Sequence, residues 1–182
     1  SSPARSPSGP PPRRAVFLDR DGVINRVTLK AGLPMGPERP DEFALLPGVE
    51  AACAALRKAG FALIVTTNQP DVKRGRLTIA AAESMHAKLN HLVDEVRACY
   101  HDDADQCNCR KPLPGMLTES AARLKIDLAK SWMVGDRWRD VEAGRAAGCR
   151  TILVGPGYGE KFPNAPDYSV ASLLEAVPII LK

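Results

Sequence analysis

An α/β fold, a parallel sheet with helices on both faces, is predicted by three features of this chain. Short apolar runs alternate with helix-like segments along most of its length, the rhythm that βαβ units produce. Two of those runs lead directly into acidic residues, Asp19 with Asp21 and Asp136 with Asp140. In open parallel sheets ligands bind at the carboxyl ends of the strands. The length, 182 residues, suits one domain with a full core.

The elements follow in order. Four apolar residues, Ala15-Val16-Phe17-Leu18, read as a buried strand ending near Asp19. A helix is expected over 49–58 and a strand over 62–66, with Gly60 between them as a helix stop. A long helix is expected over 78–96 and a short strand over 98–100. A helix over 115–124, a strand over 132–135, a helix over 141–147 and a strand over 151–154 complete the alternation, with Gly148 as a second stop. Residues 25–47, with Pro34, Pro37, Pro40 and Pro47, are too long for a simple connection and are expected to line the substrate side.

Residues 1–14 hold five prolines, four serines and three arginines and no acid. They are expected to be a disordered tail ahead of a domain over 15–182. They lack the apolar stretch of a secretory signal, and no apolar run in the chain approaches the ~20 residues of a membrane span. The formal charge of +4 falls to about +1 without the tail, so the basic balance is weak evidence for nucleic-acid binding. Five cysteines without a disulfide-like pattern point to a reducing cytoplasm, with Cys53 and Cys149 as ordinary buried thiols.

Asp19 and Asp21 make a poor strand end unless something positive sits there. A hard cation satisfies them, and it would bring a phosphate to a carboxylate able to attack phosphorus. A second constellation is Cys99-x-His101 followed by Cys107-x-Cys109: four N/S donors within eleven residues, which fits a closed tetrahedral Zn²⁺ site. No open position is left, so the expected role is structural. The loop ends against Arg110 and Lys111, so the metal would fix that pair. His86 and His91 lie five apart on the expected long helix, do not share a face, and are read as non-functional.

Four segments in order resemble the haloacid dehalogenase (HAD) superfamily of phosphatases: Asp19-Arg20-Asp21-Gly22; Thr67 after the run 61–66; Lys111 in Cys109-Arg110-Lys111-Pro112; and Gly135-Asp136 with Asp140. The resemblance covers about 14–170. It implies a Rossmann-like core with Asp19 as nucleophile and Asp21 as general acid/base. It also implies Mg²⁺ held by Asp19, the main-chain carbonyl of Asp21, and Asp136. Thr67 is expected to donate to the phosphoryl oxygens, Lys111 to balance their charge, and Asn68 and Arg110 to bind substrate. Asp140 is expected to bond metal waters or cap the following helix. The inserts after the first and second motifs are too small for a large cap domain, which implies an open site for a sizeable phosphorylated substrate.

The zinc loop together with Thr67-Asn68-Gln69 and Cys109–Pro112 is similar to the branch of heptose bisphosphate 7-phosphatases and histidinol-phosphate phosphatases. That resemblance implies a small phosphorylated sugar, specifically the 7-phosphate of D-glycero-D-manno-heptose 1,7-bisphosphate, taken by a monomer with no nucleic-acid or membrane partner. Only five residues separate His101 from Cys107, shorter than in the best-known members. Arg26, Lys30, Arg39, Lys73 and Arg74 are candidates for holding a second phosphate. Histidinol phosphate is the alternative substrate, and a non-catalytic zinc-stabilised binding domain is the alternative of another class. A polynucleotide 3′-phosphatase ranks below these, because 5% aromatic content offers few bases a stacking surface.

Overall fold

The computed structural model describes residues 9–182 and forms one six-stranded sheet beside a two-stranded hairpin. In chain order the elements are β1 (Ala15–Leu18), the hairpin β2 (Thr28–Lys30) and β3 (Leu33–Met35), α1 (Val49–Lys58), β4 (Ala62–Asn68), α2 (Ile79–Ala87), β5 (Glu95–Cys99), α3 (Gly115–Leu124), β6 (Trp132–Gly135), α4 (Trp138–Ala147), β7 (Arg150–Val154), β8 (Tyr168–Val170) and α5 (Leu173–Ile180). The sheet order is β5-β4-β1-β6-β7-β8, and every pairing in it is parallel.

Side chains alternate across the sheet, so each strand feeds two cores. Val16, Leu18, Leu63, Val65 and Val134 pack under α1 and α5 on one face. Ala15, Phe17, Ala62, Ile64 and Met133 pack under α3 and α4 on the other. This two-sided burial is why β1 is an unbroken apolar run: all four of its residues are fully buried. From β1 the chain winds first toward β4 and β5, then returns to the other side for β6, β7 and β8. That reversal opens a crevice at the carboxyl ends of β1 and β6. Among the described residues no helix is long and apolar enough to cross a membrane, and there is no separate cap domain.

Several expectations are corrected. The helix over 78–96 ends at Ala87, and nearly half of the expected span, residues 88–96, is a turn leading into β5. Met85, Leu89, Leu92 and Val93 are buried as a helical stripe would be, but β4 captures the later residues as a parallel neighbour. Asp94 Oδ2 accepts from Leu63 N at 2.8 Å just ahead of that pairing. The long connection 25–47 contains the β2–β3 hairpin, and β8 and α5 lie beyond the last expected element. Of the expected tail, residues 1–8 lie outside the described residues. Arg13 and Arg14 belong to the domain: Arg13 bridges Ile126, and Arg14 lies over the Phe61 ring.

Candidate active site

Three strand ends meet in the crevice. β1 delivers Asp19 and Asp21, β4 delivers Thr67 and Asn68, and β6 delivers Asp136. Asp19 N still donates to Val134 O at 2.9 Å, which ties the loop after β1 to β6. Gly22 has φ +84°, and a Cβ there would stand 2.0 Å from Asp136 Oδ2. Only glycine lets these two acidic loops close on each other.

Lys111 comes from the loop between β5 and α3 and is buried. Its Nζ donates to Asp19 Oδ1 at 3.0 Å, Asp140 Oδ1 at 2.6 Å and Thr66 O at 2.7 Å. Asp19, Asp136 and Asp140 bring carboxylate oxygens within 4.8 Å of one another, so three acids face one ammonium. Burial first, and then the charge of Asp140, pushes Asp19 up to about 6 despite Lys111. Burial and the neighbouring Asp19 and Asp140 push Asp136 well above the carboxylate range. For Lys111, burial alone would lower the pKa, but the charges of Asp140 and Asp19 outweigh it and raise it.

Asp140 also caps α4: its Oδ2 accepts from the backbone N–H groups of Asp136 and Arg137, both at 3.1 Å. Thr67 Oγ1 accepts from Gln69 Nε2 at 2.9 Å, which leaves the threonine hydroxyl proton to donate into the crevice. The same amide nitrogen donates to Asp21 Oδ2 at 2.8 Å. A cavity of about 330 Å³ opens above these groups, walled by the hairpin residues 33–38 on one side and by Asn68, Arg110, Arg137 and Arg139 on the other.

This arrangement has close relatives. The family model described as HAD-hydrolase-like matches residues 108–176. The D-glycero-beta-D-manno-heptose-1,7-bisphosphate 7-phosphatase of Pseudomonas aeruginosa is 38% identical over 161 residues, covering 85% of this chain and 88% of that protein. The enzyme of the same name from Escherichia coli K12 is 35% identical, covering 92% and 94%. The crystal structure of D,D-heptose 1,7-bisphosphate phosphatase from B. bronchiseptica, complexed with magnesium and phosphate, superposes with a TM-score of 0.79 at 34% identity, covering 92% of this chain and 98% of that one. The chain belongs to the HAD-like phosphatases.

In this HAD-like phosphatase the acidic crevice fits a divalent cation. Three buried carboxylates against one ammonium leave an excess of negative charge. Asp136 Oδ1 is a buried oxygen without a hydrogen-bond partner, while its Oδ2 accepts from Tyr158 Oη at 3.0 Å. All the donors are hard oxygens, as Mg²⁺ requires. The side chain of Asp21 points away toward Arg20, Asn25 and Gln69, so only its main chain is left to join Asp19 and Asp136. Both oxygens of Asp140 are already engaged, by Lys111 and by the α4 cap.

The sulfur–nitrogen cluster also assembles. Cys99 Sγ lies 3.5 Å from His101 Nδ1 and 3.6 Å from Cys107 Sγ, and His101 Nδ1 lies 3.3 Å from Cys109 Sγ. Tetrahedral Zn–S and Zn–N bonds of about 2.3 and 2.0 Å imply ligand separations of roughly 3.5–3.8 Å, so this donor set fits zinc. Cys99 and Cys109 are closer, at 2.9 Å. Burial pushes the Cys99 thiol up. Hydrogen bonds from the backbone of Arg110 and Cys109 outweigh burial at Cys107 and bring it down to about 7, which favours a thiolate ligand.

Asn68 lines the cavity and pairs with the lysine loop. Its Oδ1 accepts from Lys111 N and its Nδ2 donates to Lys111 O, both at 3.0 Å. The side chain therefore latches the lysine loop onto β4 at the wall of the cavity. Arg110 does face the cavity, where Nε donates to Asp103 Oδ1 at 2.8 Å. Arg139 reaches the same carboxylate at 3.1 Å. These two hydrogen bonds hold Asp103 down at about 2. Of the five basic residues expected near a second phosphate, only Arg74 lines the cavity. Lys73 pairs with Asp105, and Arg39 with Asp41 and Glu42.

Sequence reasoning missed Arg20, His86, Asp103, Arg139 and Tyr158. Arg20 sits inside the first motif, where the sequence signals no role for its side chain. His86 was set aside on helical spacing, yet it is buried against Arg20. Tyr158 is brought in by a loop between two glycines with its own φ at +54°, and nothing local signals its partner.

Proposed function

We propose that this chain is a Mg²⁺-dependent phosphomonoester hydrolase working through an aspartyl-phosphate on Asp19, with the 7-phosphate of D-glycero-D-manno-heptose 1,7-bisphosphate as its target. The observation that carries the reading is the group of three buried carboxylates around Lys111 at the mouth of β1 and β6, with one oxygen of Asp136 left unpartnered. When bound by Asp19, Asp136 and the main-chain carbonyl of Asp21, Mg²⁺ supplies the charge neutralisation that lets an anionic carboxylate approach an anionic phosphate.

The protein's own groups perform the steps. Asp19 attacks phosphorus while the bond to the sugar oxygen breaks. Asp21 gives its proton to the departing alkoxide, a poor leaving group that needs one. Asp21, now a carboxylate, then takes a proton from the water that attacks the aspartyl-phosphate, which frees inorganic phosphate and restores Asp19. Lys111 balances charge on the transferring group, and the Thr67 hydroxyl donates to it.

Substrate choice rests on the cavity wall and on the relatives' activity. Arg110 and Arg139 share a single carboxylate, Asp103, so this cluster on the cavity wall carries one positive charge in excess, although Glu38 and Asp71 line the same cavity. That favours a second phosphate over the cationic amine of histidinol phosphate. Zn²⁺ held by Cys99, His101, Cys107 and Cys109 would be structural, fixing the loop that presents Asp103, Arg110 and Lys111. Its thiolates must stay reduced, in keeping with a cytoplasmic enzyme.

Steady-state kinetics with both anomers of the heptose bisphosphate and with histidinol phosphate, with and without Mg²⁺, tests this. The expected result is Mg²⁺-dependent release of one phosphate, with kcat/KM highest for a heptose bisphosphate. A preference for histidinol phosphate overturns the substrate. Full activity in a well-folded Asp19→Asn variant overturns the covalent route.

A further inference from the structure

Asp21 is held from four directions. Its Oδ1 accepts from Arg20 Nε at 2.9 Å, from Arg20 Nη2 at 2.8 Å and from Asn25 Nδ2 at 2.9 Å. Its Oδ2 accepts from Gln69 Nε2 at 2.8 Å. The hairpin comes close on a further side, since a Cβ on Gly36 would lie 2.4 Å from Asp21 Oδ2, yet Asp21 still lines the cavity with its side chain 20% exposed. With three donors on Oδ1, the oxygen left to exchange a proton with a leaving group is Oδ2.

Arg20 is the unusual member. Its side chain is fully buried, and a buried guanidinium is costly unless its donors are placed. Two of its nitrogens serve Asp21. The third, Nη1, lies 3.1 Å from His86 Nε2 on α2. Arginine only donates, so His86 Nε2 must accept and its ring must be neutral, with the proton on Nδ1. The Phe43 ring lies 5.7 Å from the guanidinium. Neither Arg20 nor His86 lines the cavity. Its only polar output toward the site is the orientation of Asp21.

We infer that Arg20 and His86 are positioning residues: His86 fixes the plane of the Arg20 guanidinium, and Arg20 fixes the Asp21 carboxyl for proton transfer to the departing alkoxide. The inference rests on the reading of Asp21 as the general acid. It predicts a signature that a merely structural pair would not give. A misplaced acid hurts substrates whose leaving group needs a proton and spares those whose leaving group does not.

The test compares kcat/KM on the heptose bisphosphate with that on p-nitrophenyl phosphate. His86→Leu removes the acceptor, whereas His86→Gln keeps one in a side chain that can reach Nη1. His86→Leu is expected to lose about tenfold more on the sugar phosphate than on the aryl phosphate, and His86→Gln to recover most of that difference. If His86→Leu does not fold, Arg20→Lys replaces it with the same expected bias, because one ammonium cannot serve Asp21 and His86 as the fork does. Asp21→Asn is the reference. Equal losses on both substrates in Asp21→Asn overturn the acid reading, and the inference with it. Bias in Asp21→Asn but equal losses in His86→Leu, or no recovery in His86→Gln, overturn the inference alone.

Discussion

Lys111 Nζ lies 2.6 Å from Asp140 Oδ1, closer than the 3.0 Å that separates it from Asp19 Oδ1. The lysine expected to balance the reacting carboxylate is thus anchored by a carboxylate from the start of α4, which also caps that helix. Asp140→Asn keeps the shape and a capping oxygen but removes the charge. Breaking a buried pair typically costs on the order of 3 kcal/mol. The variant is expected to lose about that much stability in urea unfolding and at least tenfold in kcat. Wild-type values in both would refute the anchor role.

Arg110 and Arg139 share Asp103, so a second phosphate would take over hydrogen bonds that the carboxylate now accepts. Arg139→Ala should raise KM for the heptose bisphosphate several-fold and change kinetics on an aryl phosphate little, since remote binding is lost only where the remote group exists. Equal effects on both substrates would place Arg139 with the reacting phosphate.

Tyr158 donates to Asp136 Oδ2 at 3.0 Å and leaves Oδ1 free. Partners that orient metal ligands are commonly worth 10–100-fold in affinity. Tyr158→Phe should weaken Mg²⁺ binding by about tenfold in calorimetry. An unchanged dissociation constant would show that burial alone orients Asp136.

The cysteine–histidine cluster should hold one zinc per chain, separable from Mg²⁺. Cys107→Ser is expected to lower zinc content in metal analysis and to lower the melting temperature, because ligation contributes directly to folding. Protein purified without chelator and found free of zinc would end this assignment.

His86 links stability to pH. Burial first, and then the Arg20 charge, lowers it from 6.5 to about 4, opposed by Asp21. As pH falls below about 6.5 the unfolded chain takes up a proton that the native ring refuses until about 4, so stability is lost across that window. Asp19, raised to about 6, acts in the opposite sense. The difference between wild type and His86→Gln isolates the histidine. Wild type should lose about 1–2 kcal/mol more than His86→Gln between pH 7 and pH 5. Identical pH profiles would contradict a neutral buried ring.

Much of the molecule was legible in one dimension because its causes are local. A strand buried on both faces must be an apolar run, so β1, β4, β6 and β7 declared themselves, and the acids after β1 and β6 marked the crevice. The four cysteine and histidine donors lie within eleven residues, so their spacing alone brought them together. Other features depended on which segments the sheet places side by side. The end of the long expected helix became β5 because β4 offered a parallel partner, and backbone pairing outweighed the apolar spacing. The same topology put α2 against the loop after β1, turning His86 from a bystander into the partner of Arg20. It also carried Tyr158 to Asp136 and set Asp103 between Arg110 and Arg139. Such contacts join residues far apart in the chain through hydrogen bonds whose geometry exists only once the core has packed. Residue types and spacing determined the chemistry available, while folding decided which groups hold that chemistry in place.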